Sequence, residues 1–242
     1  PYRDWVVRAL NQNQPLDEFL TWQLAGDLLP DPTMAQLVAT GFVRMNPTTA
    51  EGGAIPEEFQ AKNNFDRVET LGTALLGMSL ACARCHTHKY DPIPQTEYYR
   101  MMAYFNSTAE PSMDGNRYEF GPTIKAPADA DAWDNWDAIQ TEEKAVRADQ
   151  ARILNAAMAF SKKPENKNLQ TLMIKKMTTP EDRLKLVANP KGKFQQLPIH
   201  KESVTLLRRM DILKGRMTTT LVAKDLPKPR ETKLLELSLI HI

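Results

Sequence analysis

Apolar positions recur along most of this chain at three- and four-residue spacing, so helices are predicted for most of its length. Tyr2 to Leu10 puts Trp5, Val6 and Ala9 on one side of a helix. Pro15 then sits where a first helical turn tolerates proline, ahead of Leu16, Phe19, Leu20, Leu24 and Leu28. The two segments are expected to form a helical hairpin. Pro30 and Pro32 end the second helix, and Thr33 is placed to cap a short third one over Met34 to Phe42. A loop from Asn46 to Pro56 centres on Gly52 and Gly53. From Pro56 a longer helix is predicted through Phe59, Phe65, Val68, Leu71, Leu75 and Leu76, with Gly72 and Gly77 weakening its last turns. Gln95 to Phe105 forms another, with Tyr98, Met102 and Phe105 on one side.

After Asn106 the pattern changes. Residues 107–130 are rich in Pro, Gly, Asp and Ala and read as an irregular connection, whereas Asp131 to Lys162 has the charge density and periodicity of a long amphipathic helix. Its stripe runs through Trp133, Trp136, Ile139, Ile153, Leu154 and Met158, as a packed or partner-facing helix would. Shorter helices are expected at 168–177, 180–188 and 203–214. Asp225 to Arg230 reads as an extended linker, because each proline biases its predecessor away from helix. No strong period-2 strand and no internal repeat is visible. The fold class is therefore mainly α: an irregular helical domain with a helical insertion.

Composition narrows the function. With 42% hydrophobic and 25% charged residues the chain is globular in type, and no apolar run approaches the roughly 18 residues a membrane span needs. A net charge of +1 with interspersed signs lacks the basic stripe that binds phosphate backbones, so no nucleic-acid partner is expected. No leader sequence is visible, in a chain that opens at Pro1 without methionine. The last six residues, Leu237 to Ile242, read as the translated end of a sequencing adapter, so His241 is set aside from any chemistry.

The two cysteines are the main chemical signal. Cys82 and Cys85 are the only ones in 242 residues, and His86 follows directly. Random placement would give Cys-x-x-Cys-His with a probability on the order of 10⁻⁴. Three chemistries use these residue types at this spacing. Two thiols on one helical turn can add to the two vinyl groups of a haem, with His86 held beneath the iron as proximal ligand. Alternatively, Cys82, Cys85 and His86 or His88 bind zinc or iron, with Asp91 or a distant carboxylate completing the shell. Third, the cysteines form a structural or reversible disulfide. In the haem reading His88 lies too close in sequence to His86 to reach the opposite haem face, and serves as a hydrogen-bonding group or rim residue. Met101, Met102, Met113, Met158 and His200 are the sixth-ligand candidates, each also suited to packing, capping or surface roles; a five-coordinate iron is the alternative.

Several stretches together resemble a known family: Tyr2-Arg-Asp-Trp-Val-Val, Phe19 to Leu29, Glu51-Gly-Gly-Ala-Ile-Pro-Glu-Glu58, Asp66-Arg-Val-Glu-Thr70, Cys82-Ala-Arg-Cys-His86 and His88-Lys-Tyr-Asp-Pro92. Residues 1–110 resemble the planctomycete cytochrome-C-type domain of unknown function. The resemblance implies secretion to the periplasm or cell surface, a neighbouring cytochrome c module on the N-terminal side and a second uncharacterised domain after it, whose entry Pro229 to Leu235 resembles. It implies no established reaction. Thr87 departs from the family pattern, which tends to carry Asp between the two histidines. Glu51, Glu57, Asp66, Arg67 and Glu69 fall in the other family-like motifs, either as a salt-bridged network fixing the loop against the helix or as a polar wall beside the cofactor. In the second case Arg67, Arg84 or Lys89 would neutralise haem propionates.

These readings lead to one set of expectations. Residues 1–110 form the cytochrome-c-like helical domain, 111–224 a linker and helical insertion, 225–236 the start of a following domain and 237–242 an artefact. The function expected is extracytoplasmic electron transfer by covalent haem c held by Cys82, Cys85 and His86, with a redox partner protein or an adjacent cytochrome c module. Two alternatives stand beside it: a haem-, iron- or zinc-dependent enzyme acting on an extracellular polysaccharide component, assisted by Glu51 or Glu57, and a surface scaffold stapled by a Cys82–Cys85 disulfide. Trp5, Phe19, Trp22, Leu24, Phe42, Leu71 and Leu76 are expected in the core.

Overall fold

The computed structural model describes residues 1–49, 51–113, 121–175 and 177–223. The predicted following domain, the linker from Asp225, the adapter-like end and His241 lie outside the described residues. Among those described, the protein is mainly helical, with ten α-helices and a single two-stranded sheet. The chain divides into two compact units, one holding Pro1–Ala126 together with the chain from Thr219 onward, the other Pro127–Thr218.

The first unit begins with α1 (Tyr2–Asn11) and α2 (Leu16–Ala25), the predicted hairpin. Trp5 is its anchor: its ring stacks on Phe19 at 5.2 Å and lies 6.5 Å from Trp22. Gly26 allows the close approach of α3 (Met34–Ala39), since a Cβ there would stand 2.3 Å from the carbonyl oxygen of Gln36. Thr33 and Gln36 form a capping box that starts α3, as the threonine predicted. A 3-10 turn over Thr40–Arg44 follows. Helix α4 (Pro56–Leu71) opens with proline in its first turn, and α5 (Gln95–Phe105) matches its predicted bounds. Val43, Val68, Leu80, Ala83, Tyr98, Met102 and Phe105 make the core between them.

Of the seven expected core residues, Trp5 is buried, and Phe19, Trp22, Leu24, Phe42 and Leu71 are half-buried. Leu76 is 52% exposed. The reason is local: α4 ends at Leu71, and Gly72–Leu76 form a wider π-type turn that swings Leu76 off the core face.

A polar cluster lies inside this unit. Glu110 is buried, and its carboxylate pairs with Arg44 Nε at 3.0 Å and with the Arg67 guanidinium. Arg67 also donates to Val43 O (2.8 Å), to Asn46 Oδ1 (2.7 Å) and to Thr108 Oγ1 (3.3 Å). Asn64 donates to Asn106 Oδ1 at 3.1 Å. Two arginines share this carboxylate. Burial of such a group is tolerable only because nearly every donor finds an oxygen.

The segment 107–130, expected to be irregular throughout, contains β1 (Thr123–Pro127), which pairs with β2 (Met217–Leu221). A two-stranded pair this short carries too few alternating residues to show a period of two.

The second unit is a helical cluster of α6 (Ala130–Asp134), α7 (Trp136–Ser161), α8 (Lys167–Lys175), α9 (Pro180–Val187) and α10 (Pro198–Arg216). The single long helix expected from Asp131 is interrupted at Asn135, whose side chain turns back to Asp131 O at 2.9 Å. Ile139, Val146, Ile153 and Ala157 of α7 pack with Leu184, Phe194 and Leu206. Arg209 on α10 pairs with Glu142 (2.8 Å) and Asp149 (2.9 Å) on α7, both partly exposed pairs of small energetic weight.

Removing Glu110 would leave two buried guanidinium groups facing each other. Glu110→Ala is expected to destabilise the first unit by about 3–5 kcal/mol, read as a lower midpoint in urea denaturation monitored by tryptophan fluorescence. A loss within about 0.5 kcal/mol, typical of a surface change, would contradict this role.

Candidate functional site

The cysteine segment is reached through a specific fold of the chain after α4. Gly72 lies under Leu80: a Cβ at 72 would be 2.5 Å from Leu80 Cγ and 3.0 Å from Met78 O. Gly77 takes a left-handed φ of 64°, which turns the chain back, and Met78 N donates to Gly72 O at 2.9 Å. Leu80 and Ala83 are then buried as the two anchors of a 3-10 turn over Ala81–Arg84. Cys82, Cys85 and His86 are left on its outer side, all exposed, and both cysteines are free thiols. The carbonyl of Cys82 accepts from Cys85 N (3.3 Å) and His86 N (3.4 Å), so the motif occupies a single helical turn.

Arg84 fastens that turn to both flanking helices. Its guanidinium lies 5.0 Å from the Phe65 ring centre and 3.6 Å from Glu69 Oε1, both on α4. Its carbonyl accepts from Gln95 Nε2 and Tyr99 OH on α5, each at 3.0 Å. Tyr98 OH donates to Glu69 Oε1 at 3.2 Å, closing the set. Burial, and then the Glu69 carboxylate, push the Tyr98 phenol up, so it stays a donor at any ordinary pH. Burial also raises Tyr99, with Cys85 beside it adding to the shift.

The two histidines differ in hydrogen bonding. His86 Nδ1 lies 2.7 Å from Thr87 O. A carbonyl can only accept, so Nδ1 carries the proton, and in the neutral ring Nε2 is the nitrogen with the lone pair. His88 Nδ1 lies 2.9 Å from Asp91 N and 3.3 Å from Tyr90 N, which can only donate. Its proton therefore sits on Nε2, and Nδ1 is engaged in closing the 88–91 loop. Asp91 Oδ2, 3.2 Å from the same Nδ1, becomes a partner only when the ring is protonated there. Lys89 is exposed, with Nζ 5.2 Å from the Tyr90 ring centre.

Of the residues singled out from sequence, Cys82, Arg84, Cys85, His86, His88 and Lys89 come together in this turn and its loop. Arg67 does not; its guanidinium is engaged inside the unit with Glu110, Val43, Asn46 and Thr108. Glu51 and Glu57 are exposed on the loop and the first turn of α4. Met102 is core, Met158 packs in the second unit, and His200 Nδ1 is 3.0 Å from Val187 O in that unit. Among the described residues, no three His, Cys, Asp or Glu side chains are grouped so as to hold a metal ion. The sequence offered no sign of Arg44 or Glu110, because the ion pairs join residues far apart in the chain. Arg84 was visible as a charge, but its role as the clamp on the turn was not.

Residues 1–110 match the family model PSCyt2, a protein of unknown function (DUF1549). The match covers α1 to α5 and the whole cysteine turn. Searches of curated proteins and of solved structures gave no match. No helix among the described residues is long and apolar enough to cross a membrane.

The glycine under Leu80 is a structural requirement of the site. Gly72→Ala forces its new methyl against Leu80 and the Met78 carbonyl, and is expected to destabilise the protein by about 1–3 kcal/mol. Hydrogen exchange should show the amides of Ala83, Cys85 and His86 losing protection before those of α1 and α2. Unchanged protection in the cysteine turn would refute the packing argument.

Proposed function

We propose that the turn Cys82–His86 is a covalent attachment site for haem c in an extracytoplasmic electron-transfer protein. The carrying observation is the state of His86, exposed beside two free thiols on one turn, with Nδ1–H donating to Thr87 O and Nε2 open. A proximal ligand needs that tautomer, and the carbonyl partner raises its basicity and holds the ring's orientation. Thioether formation needs both sulfurs accessible and unpaired, as they are here. Haem, once bound, would supply one-electron chemistry.

The protein's own contribution is positioning. Leu80 and Ala83 hold the turn down, while the Arg84 carbonyl, gripped by Gln95 and Tyr99, fixes its tilt. Arg84 and Lys89 are the cations near enough in the chain to meet propionates, and Lys89 makes no ion pair with a described residue. His88 is a loop-closing residue in this reading, with its Nδ1 engaged by two amides. Zinc finds less support, since no third ligand converges on the cysteines among the described residues. The resemblance to cytochrome-C-type domains supports secretion and an adjacent cytochrome c module or other redox protein as partner.

Expression in an oxidising compartment with haem c maturation factors tests this. The polypeptide is expected to carry one haem that acid–organic extraction leaves in place. Cys82→Ser and Cys85→Ser should each give partly or fully extractable haem, and His86→Ala a changed spin state or failed maturation. His88→Ala should move the absorption bands only slightly. A wild-type mass equal to the bare polypeptide, with stoichiometric zinc, would overturn the proposal in favour of a metal site.

A further inference from the structure

A second feature of the first unit is unrelated to the cysteines. A cavity of about 190 Å³ lies between α4, the 3-10 turn over Thr40–Arg44 and the end of α5. Phe42, Val43 and Phe105 give it apolar walls, Asp66 and Thr70 give it polar ones, and Met45, 70% exposed, stands at its rim. A void of roughly 150 Å³ accommodates one benzene-sized ring, so this one has room for a single six-membered ring with a substituent.

Asp66 and Thr70 are one turn apart on α4 and share a face. Neither side chain makes a hydrogen bond or a close ion pair with a described residue, although polar groups around them do. Asn46, also in the wall, is occupied by Arg67 and by Pro47 O. Arg67 is occupied by Glu110 and four further oxygens. Burial raises the Asp66 carboxyl above its ordinary range, with Arg67 only partly offsetting it. A folded-state value above the unfolded one means that ionised Asp66 opposes folding at neutral pH, and that this opposition fades as pH falls through the folded value. A carboxylate kept at a site where it disfavours folding fits a binding role better than a structural one.

The charges narrow the ligand. A cation inside would face the Arg67 wall, and an anion would face Asp66. A neutral molecule with an apolar face and one strong donor meets the Phe42 and Phe105 rings, the Asp66 acceptor and the Thr70 hydroxyl together. We propose that this cavity is a binding site for a small neutral ring compound bearing a hydroxyl group, which it donates to Asp66 while its apolar face lies against Phe42 and Phe105.

Three probes of one size separate the possibilities on the full chain: cyclohexanol, which donates; cyclohexanone, which only accepts; and cyclohexylammonium, a cationic donor. Dissociation constants come from titrations followed by methyl NMR, with Val43 and Thr70 reporting on the cavity. Cyclohexanol is expected to shift both residues and to bind about tenfold tighter than cyclohexanone, the effect of one hydrogen bond to a charged acceptor. In Asp66→Ala that preference should fall to about one. Asp66→Asn keeps the shape and serves if the alanine variant does not fold; its ratio should drop to about threefold or less. Both substitutions should leave the stability at neutral pH equal or higher. Equal binding of alcohol and ketone to the wild type, tighter binding of the ammonium, shifts absent from Val43 and Thr70, or a preference that survives at position 66 would each overturn the proposal.

Discussion

Glu110 is bound by Arg44 and Arg67, and most of the first unit is arranged around that contact. Arg44 ends the turn after α3, Arg67 lies in the middle of α4, and Glu110 comes after α5, so one carboxylate ties three stretches of chain that share no local sequence logic. Arg44 reaches further, to Gly121 O and Val222 O at 3.4 Å each, joining the chain beside β1 and β2 to the same centre. A buried charge cluster is a poor source of net stability compared with apolar packing, but any arrangement that leaves one member unpaired is heavily disfavoured. Such a cluster discriminates between packings, whereas the apolar residues around it supply the burial energy.

The cysteine turn relies on that frame. Helix α4 presents two neighbouring stripes: Phe65 and Glu69 hold Arg84, while Asp66 and Thr70 line the cavity. Arg67, further round the helix beyond Asp66 and Thr70, faces inward. A short turn with only Leu80 and Ala83 buried would have little stability by itself. It is held by side chains from two helices, and so its reactive groups can all point outward. Exposure of Cys82, Cys85 and His86 follows from that division, in which the buried positions do the anchoring and the outer ones stay chemically available.

Two uses of this helix are proposed, at different depths. At the surface, free thiols and a histidine with an open Nε2 suit covalent attachment of a large planar cofactor. In the interior, the cavity suits a single small ring. The two do not need each other chemically, and they differ in the charge they present: Arg84 and Lys89 at the first, the Asp66 carboxylate at the second.

Much of the secondary structure was determined by the sequence alone. Apolar spacing gave α1, α2, α5 and most of α4, because a helix with one buried face must repeat that way. Thr33 marked a helix start through its own hydroxyl, and Gly72 and Gly77 weakened the last turns of a helix predicted through Leu76, which ends at Leu71. The motif Cys82–His86 pointed to the candidate site. Tertiary structure decided the rest. The place of Leu76 depended on a π-type turn, the break at Asn135 on a side-chain hydrogen bond, and the β1–β2 pair on residues far apart in the chain. Arg67 could be read from its motif either as part of a salt-bridged network or as a wall beside a cofactor; in the fold it is turned inward by Glu110, which no local pattern connects to it. Period and capping are local properties of a few consecutive residues. Ion pairing, cavity shape and the proton on His86 or His88 depend on which groups the fold brings within about 3 Å of one another.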